Sequence, residues 1–405
     1  MSASSDHERG FSFDYDPGEL RGGRGCVADL GDALDRRGLD SALIVTGSNV
    51  GANPDVMDPV VDGLGGRLAG VFDETKPAKS LGTGLAVARQ VGEGIDVIVA
   101  VGSRSSLDVA KTASALGSHA AAERALESGT VAVADDGDST PVVAVPTTLA
   151  GADLSVIAGV GLTLDTDDAP AGGVPTGSVR DRRLMPTTLF YDPALFETTP
   201  RSVLCASAMN GFDKAVECLY APDATPVTDG TATRALSLMQ SEFRTLSDDE
   251  MDEERLCEAV TGVLLAQYGI STPETYRASI IHAFGHGLSH DHDVHQGIAH
   301  AVLAPHVLRY VFDRVDGRRG LLAAGLGVDR ADATPEEVAD AVVESVEGVR
   351  DDLRLPARLS TVDVLSRDHL PSVAAVVRDD ALMRAVPRGV DPSESEILDV
   401  LQSAW

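Results

Sequence analysis

The chain has 405 residues, 43% of them hydrophobic and 40 of them glycine, which is typical of a soluble two-domain α/β protein. Its 63 acidic residues outnumber its 33 basic residues, and the resulting net charge of −30 argues against nucleic acid or anionic membranes as partners. No apolar run is long enough to span a bilayer, and the polar start MSASSDHERG lacks the apolar core of a signal peptide, so we expect a cytoplasmic protein.

Lysine is scarce in this chain. The basic residues include four lysines, at positions 76, 79, 111 and 214. An acid-rich, lysine-poor composition resembles that of proteins from salt-loaded cytoplasms, where ionic strength screens carboxylate repulsion. A lysine inside a motif is therefore a candidate for function rather than surface filler. The four cysteines have no metal or disulfide spacing and are expected to be reduced: Cys26, Cys205, Cys218 and Cys257.

The first half alternates short apolar runs with helical patterns. ALIVTG (42–47), DVIVAVGS (96–103) and PVVAVPTT (141–148) look like buried parallel strands that lead into loops. The helical pattern SLDVAKTASALG ends at Gly117, a predicted C-cap. This alternation predicts a doubly wound parallel sheet with ligands at the carboxyl ends of the strands. Residues 166–179 form a Pro/Gly-rich loop, for which a lid is one interpretation.

From Ser202 onward, helical periodicity dominates up to the C-terminus. We therefore place a domain boundary near Pro200. Residues 1–200 are predicted to be an α/β dinucleotide-binding domain, and residues 201–405 an all-α catalytic domain.

The junction after the second predicted strand carries small polar residues, GSRSSLDVAK (102–111). Such residues let backbone amides approach a phosphate at the positive end of a helix dipole. The spacing differs from GxGxxG. The alternative is an ordinary helix start capped by Ser105 or Ser106.

Seven of the ten histidines lie between His282 and His306. Histidine is the usual side chain for metal binding and for proton transfer near neutral pH. The alternative is a solvated His-rich surface loop, an interpretation favoured for His290 and His292, which lie among aspartates. His306, after Pro305, is predicted to be structural.

Five motifs resemble those of the iron-containing (group III) alcohol dehydrogenase family. GSRSSLDVAK is similar to that family's GGGSxxDxAK segment, and PTTLAGADLS (146–155) to its next nucleotide motif in the version of maleylacetate reductases. RDRRLMPTTLFYDPALFETTP (180–200), MNGFDKAVECLYAPDA (209–224) and the His-rich segment resemble further motifs of the same reductases. The resemblance implies a nicotinamide-binding α/β domain followed by a helical catalytic domain.

The resemblance also implies which residues bind NAD(P). In the two nucleotide motifs these are Gly102, Ser103, Arg104, Ser105, Asp108, Lys111, Thr147, Thr148 and Ala150. Many NAD-using members have an aspartate where this chain has Gly47, and that aspartate binds the ribose hydroxyls. Because neither a carboxylate nor an arginine stands at this point, we expect NADPH to be accepted alongside NADH.

The positions of the family's metal ligands differ in this chain. They correspond to Asn210, Lys214, His282 and Gln296, of which only His282 is a good ligand. We therefore do not expect a tightly bound divalent metal such as iron or zinc. An alternative is a shifted metal site, formed by Asp213 and Glu217 on one helical face with His286 and His295.

A cation in place of the metal is the simpler interpretation. Asn210 and Lys214 share one helical face, and His282 and His286 share another. The ammonium of Lys214 would polarise a carbonyl oxygen, and His286 would relay a proton or lie beside the nicotinamide. The alternative for Lys214 is a surface salt bridge to Glu217 or Asp213. His300 is a weaker candidate, with a hydrogen-bonded structural role as its alternative.

These features predict an NAD(P)-dependent oxidoreductase that moves hydride between nicotinamide and a small alcohol or carbonyl compound. The likeness to maleylacetate reductases favours reduction of a 2-enoic or oxo acid and implies a homodimer. The alternatives are a dehydroquinate-synthase-like lyase of the same fold, and an inactive binding homologue. The lyase needs a metal and several phosphate-binding lysines, which four lysines hardly supply.

Overall fold

The computed structural model describes residues 10–92, 94–116, 119–133, 139–166 and 175–405. Its strands are β1 (Glu19–Gly22), β2 (Ala42–Val45), β3 (Leu68–Phe72), β4 (Val97–Gly102), β5 (Thr130–Val131), β6 (Val142–Pro146), β7 (Ile157–Gly161), β8 (Thr176–Arg180), β9 (Thr188–Tyr191), β10 (Ser271–Thr272) and β11 (Thr275–Tyr276).

Helices surround the sheets and form almost all of the second half. They are α1 (Leu30–Asp35), α2 (Ser48–Gly51), α3 (Pro54–Leu64), α4 (Leu81–Val91), α5 (Arg104–Ala115), α6 (His119–Ser128), α7 (Pro193–Glu197), α8 (Arg201–Tyr220), α9 (Pro226–Glu242), α10 (Glu253–Ile270), α11 (Ile280–Asp291), α12 (Gln296–Phe312), α13 (Arg319–Gly325), α14 (Pro335–Asp352), α15 (Leu370–Asp379) and α16 (Glu394–Ser403).

The main sheet has six strands in the order β1-β9-β6-β4-β2-β3, all paired in parallel. Its two faces are covered by different apolar clusters. On β2, Leu43 belongs to a cluster with Leu107 of α5, whereas Ile44 belongs to a cluster with Val60 of α3. Each fully buried side chain of this kind stabilises the fold by about 1.5–3 kcal/mol. The predicted doubly wound parallel sheet is confirmed, with the three predicted strands as β2, β4 and β6.

A second sheet has the order β5-β8-β7, and its strand β7 packs against α5. β8 includes residues 176–179, so that part of the predicted Pro/Gly loop is wrong: these residues pair with β7 instead. The proposed lid falls on residues 167–174, which lie outside the described residues. The predicted C-cap Gly117 also lies outside them, and α5 ends at Ala115.

The second half is helical, as predicted, and the hairpin β10–β11 is its one two-stranded element within the described residues. α8 is the central helix: it packs against α9, α10 and α12, and its side chains are buried from Leu204 to Tyr220. α8 follows β9 and α7 in the chain, and its polar residues Ser207 and Lys214 bind the loop after β6. Among the described helices, none is long and apolar enough to cross a membrane.

Candidate active site

The loop between β4 and α5 has the form of an anion-binding site. β4 ends at Gly102, whose φ of +123° favours glycine, and Ser103 is the N-cap of α5. The first turn of a helix offers backbone amides at the positive end of its dipole, so this loop can receive a diphosphate. A cap at Ser105 or Ser106 is wrong, because these hydroxyls contact Ser103 and Thr75 at 3.0 and 3.1 Å instead.

The buried carboxylate of Asp108 forms ion pairs with two cations next to this loop. Asp108 is 1% exposed, and one of its oxygens lies 2.9 Å from Lys79 Nζ and 3.4 Å from Arg104 Nε. Burial alone would raise the pKa of Asp108, but the charges of Lys79 and Arg104 hold it below its ordinary value. Asp108 is therefore ionised, and two cations share its charge.

Gly47 lies at the same edge of the sheet. It is the N-cap of α2, directly after β2, and a Cβ on it would lie 3.3 Å from the carbonyl oxygen of Thr75. A Cβ on Gly102 would lie 3.7 Å from Oγ1 of Thr46. The structure therefore brings Gly47 next to the anion-binding loop, as the carboxyl ends of neighbouring parallel strands require.

The second nucleotide motif follows β6 and is held by buried lysines. The amide of Thr147 donates to the carbonyl of Gly102 at 3.0 Å, and Thr147 and Thr148 are both buried. Lys111 is fully buried, and its ammonium donates to the carbonyl oxygens of Ala152 and Ser155 at 3.0 and 2.5 Å. Lys111 therefore holds the loop in place, and its ammonium is already used by the protein.

Lys214 holds the preceding part of the same loop. Its Nζ donates to the carbonyl oxygen of Ala150 at 2.6 Å and to that of Gly151. The amide of Gln267 on α10 accepts from Nζ at 3.1 Å and donates to Gly151 O at 3.0 Å. Because Lys214 is 5% exposed and its donors face these oxygens, the alternative of a surface salt bridge is wrong.

This environment changes the acidity of Lys214. Burial, followed by the nearby charge of Arg104, lowers the pKa of Lys214 to about 7. A lysine with this pKa changes its protonation near neutral pH and is suited to proton transfer. Asn210, one helical turn earlier on α8, is also 5% exposed.

His282 is fixed by Glu217 across the interface between α8 and α11. Its Nδ1 lies 2.6 Å from Oε2 of Glu217, and this oxygen also accepts from the amide of Ser279 at 2.8 Å. The other oxygen, Oε1, accepts from the amide of Ile281 at 2.6 Å. Burial lowers the pKa of His282 well below its ordinary value and raises that of Glu217 to about 7. The neutral imidazole presents its buried Nε2, which has no hydrogen-bond partner among the described residues.

A second buried pair lies beside the first. The oxygen of Asp213 is 3.3 Å from Nδ1 of His300, and both side chains are fully buried. The His300 ring contacts that of His282 edge-on, with centroids 4.5 Å apart, and Gly285 leaves the room that His300 Nε2 occupies, because a Cβ there would overlap it. Burial raises the pKa of Asp213 well above its ordinary value and lowers that of His300 to about 3, so both are neutral. The alternative prediction for His300 is a structural role with a hydrogen bond in the helical core. His300 does lie in that core, but neither ring nitrogen has a hydrogen-bond partner among the described residues.

The side chains at the four positions predicted to correspond to the family's metal ligands do not fit a divalent ion. Asn210 and Gln296 offer weak amide oxygens and Lys214 an ammonium, which leaves the unpartnered Nε2 of His282 as the one strong donor. Gln296 is the first residue of α12 and is half-buried. In the part of the chain that the structure describes, no group of three or more His, Cys, Asp or Glu could hold a metal.

The residues of the alternative metal site do not converge on one point either. Glu217 binds His282, whereas the Nδ1 of His286 lies 2.9 Å from Asp380. His295 caps α12 by accepting from the amide of Gly297 at 3.1 Å. Each of these side chains therefore serves a different contact.

The remaining histidines lie outside this cluster. His290 is exposed beside Asp291, as the surface interpretation requires, but it belongs to the last turn of α11 and not to a loop. His292 follows α11, is partly exposed and stacks on His369. His306 lies 2.9 Å from the hydroxyl of Ser403. Sequence reasoning missed Gln267, which no motif marks, and the contact between Glu217 and His282.

Comparison with known proteins shows the family to which this chain belongs. The sequence model "Iron-containing alcohol dehydrogenase" matches residues 17–193, and "Fe-containing alcohol dehydrogenase family, C-terminal" matches residues 204–405. The chain belongs to the iron-containing alcohol dehydrogenase family.

Individual relatives span nearly the whole chain. Lactaldehyde reductase of Escherichia coli (strain K12) is 26% identical, over 95% of this chain and 97% of its own. Maleylacetate reductase of Pseudomonas aeruginosa is 29% identical, over 91% and 97%. The structure of sulfoacetaldehyde reductase from Bifidobacterium kashiwanohense in complex with NAD+ is 18% identical, covers 98% of this chain and 99% of its own, and superimposes with a TM-score of 0.80, so it shares the fold.

Proposed function

We propose that this oxidoreductase uses NADPH or NADH to reduce a small carbonyl compound, and that Lys214 supplies the positive charge at the carbonyl oxygen. The observation that carries the proposal is the buried ammonium of Lys214, which stands where the resemblance to the family predicts a metal ligand. Its low pKa, of about 7, supports a role as proton donor. Relatives named as reductases of lactaldehyde, maleylacetate and sulfoacetaldehyde, the last with bound NAD+, support the cofactor and the reaction.

In the proposed reaction, hydride passes from the nicotinamide to the carbonyl carbon. The electron pair of the C=O bond moves to the oxygen, which takes a proton from Lys214, so the products are the alcohol and NAD(P)+. The carbonyl oxygen replaces the Gln267 amide as the third acceptor of the ammonium, while the carbonyls of Ala150 and Gly151 keep the other two donors. A preorganised charge at this oxygen stabilises the developing alkoxide.

His282 and His286 serve this reaction from α11. The neutral His282, fixed by Glu217, presents Nε2 as an acceptor and orients the substrate. His286 is partly exposed and bonded to Asp380, and it relays a proton from solvent to neutral Lys214 after each turnover. In this proposal, the backbone amides of the loop from Gly102 to Ser105 bind the cofactor diphosphate.

The test is to incubate the purified protein at several salt concentrations with NADPH or NADH and a panel of aldehydes and oxo acids. Oxidation of the cofactor in stoichiometric amount with alcohol formation is expected. Binding of the cofactor without turnover of any carbonyl or alcohol would instead favour the inactive homologue. Conversion of a substrate with no net change in nicotinamide would favour the lyase.

A further inference from the structure

Two histidines of α11 are each held by a carboxylate through Nδ1. For His282 the partner is Glu217, at 2.6 Å, and for His286 it is Asp380, at 2.9 Å. The two histidines are four residues apart and therefore lie on one face of the helix, about one turn from each other. Among the described residues, Nε2 of neither imidazole has a hydrogen-bond partner. One nitrogen of each ring is thus fixed, and the other is left for chemistry.

The two imidazoles differ in their access to solvent. The side chain of His282 is 4% exposed, whereas that of His286 is 36% exposed. Their partners also come from different parts of the chain. Glu217 belongs to α8 and follows Lys214 by three residues, whereas Asp380 follows α15 near the C-terminus. His286 is therefore the histidine of this pair that can exchange a proton with solvent, one helical turn from the buried contact to α8.

Close packing between α11 and α15 brings Asp380 to His286. A Cβ at Gly287 would overlap the side chain of Val377, so the glycine allows the two helices to approach. Asp380 also caps the short 3₁₀ helix that follows it, because its Oδ1 accepts from the amide of Leu382 at 2.8 Å while its Oδ2 binds His286. With both oxygens bound, the carboxylate is fixed in the direction of the imidazole.

We propose that Asp380 is a positioning residue, which keeps a proton on Nδ1 of His286 so that Nε2 is the nitrogen that relays protons. A carboxylate accepts hydrogen bonds and donates none, so Nδ1 is the donor whether the imidazole is neutral or charged. Nε2 then takes a proton from water and passes it to the neutral amine of Lys214, and His286 returns to its neutral form with Nδ1–H in place. This inference rests on the proposed function, in which His286 relays a proton.

The first test measures the tautomer of His286 by NMR of protein labelled with ¹⁵N-histidine, with His286→Ala used for assignment. The wild type is expected to hold the neutral ring with its proton on Nδ1. Asp380→Ser should lose this preference, because serine keeps the helix cap but is too short to reach the imidazole. A proton on Nε2 of the neutral wild-type ring, or the same tautomer in both proteins, would overturn the inference. This measurement does not depend on turnover.

The second test compares two rates below pH 7, where Lys214, with its pKa of about 7, starts protonated. Single-turnover hydride transfer then needs no relay, whereas each further turnover does. In His286→Ala, steady-state kcat is expected to fall about a hundredfold, the lower end of the usual contribution of acid–base catalysis. Asp380→Ser should lower kcat about tenfold or more and leave the single-turnover rate unchanged. Combining the two substitutions should lower kcat no further than His286→Ala alone, because Asp380 acts through His286.

The matched control is Asp181→Ser. Asp181 also caps a 3₁₀ helix, since its Oδ1 accepts from the amide of Arg183 at 2.9 Å, but its side-chain partner is that arginine and not a histidine. This substitution removes a comparable carboxylate from another part of the chain and should leave both rates unchanged.

The remaining outcomes separate the inference from the proposed function. If Asp380→Ser slows single-turnover transfer as much as steady-state turnover, or lowers kcat further in the His286→Ala background, Asp380 supports the fold and the inference is wrong. If His286→Ala loses turnover but Asp380→Ser does not, the inference alone fails and the relay stands. Full turnover in His286→Ala contradicts the relay and the inference together, and a wild-type protein that oxidises no cofactor contradicts the proposed reductase function as a whole.

Discussion

Replacing Lys214 by methionine separates its catalytic role from its structural role. Methionine keeps a long apolar side chain in the buried position and removes the ammonium. We expect kcat to fall about a hundredfold to a thousandfold, the usual loss when a donor to a developing oxyanion is removed. The assay is single-turnover oxidation of bound NADPH at saturating substrate, which reports hydride transfer.

The same substitution is expected to stabilise the fold. Lowering the pKa of a lysine from 10.5 to about 7 corresponds to a penalty of about 5 kcal/mol for burying its charge, at about 1.4 kcal/mol per pKa unit. Loss of the bond to Ala150 O leaves a buried carbonyl unpaired and offsets about 1–3 kcal/mol of that gain. Below pH 7, the methionine variant should therefore unfold at higher denaturant concentration than the wild type.

The sign of the pH dependence follows from the direction of the shift. The unfolded lysine keeps its proton up to about pH 10.5, whereas the folded one releases it near 7, so the wild type gains stability relative to the variant as pH rises between these values. Reductase activity has the opposite trend, because the proton donor is lost as pH rises through about 7. Both trends should be absent from Lys214→Met.

Lys111→Met is the matched control, since Lys111 is also buried and also holds this loop by two carbonyl oxygens. Its loss should weaken cofactor binding more than hydride transfer. Equal losses of kcat in the two variants, together with equally weakened cofactor binding, would show that Lys214 only supports the loop.

Two further substitutions and a metal analysis test other parts of the site. Gly151→Ala should unfold the loop and lower stability by more than about 1 kcal/mol, because Gly151 has φ +56° and its new Cβ would overlap the side-chain amide of Gln267. Gly230→Ala, at an exposed position of α9, should raise stability in the same denaturant titration. Gly47→Asp should shift the ratio of kcat/KM values toward NADH; an unchanged ratio would show that Gly47 does not face the ribose. Elemental analysis should find no stoichiometric iron or zinc, and activity lost to a chelator and restored by metal would refute the Lys214 mechanism.

The sheet could be predicted because burial on both faces leaves an unbroken apolar run in each strand. β2, β4 and β6 have this pattern, and the small residues after them mark the carboxyl edge where ligands bind. β8 could not be predicted in this way. Its residues alternate between exposed and covered positions, and its pairing with β7 is a long-range contact that a Pro/Gly-rich stretch conceals.

The site was only partly predictable. Positions on one helix follow from helical periodicity, so the spacing of Asn210 and Lys214 is enough to place them on one face. Contacts between helices do not follow from spacing: Gln267 comes from α10, and the pairing of Glu217 with His282 depends on how α11 packs on α8. The domain boundary near Pro200, the homodimer, the cytoplasmic location and the salt-loaded habitat stay predictions.

The few lysines of this chain are concentrated near the candidate active site. Lys79, Lys111 and Lys214, three of the four lysines in the chain, bind parts of the two nucleotide motifs: Asp108, and the carbonyl oxygens of the loop after β6. Apart from Lys76, arginine supplies the other basic side chains. Arginine keeps its proton under all ordinary conditions, whereas lysine is compact and releases its proton when buried. Burial lowers the pKa of Lys111 to about 8 and that of Lys214 to about 7. A chain that otherwise uses arginine therefore has lysine at two buried positions, and a lysine with the lowered pKa of Lys214 suits the proton transfer proposed for it.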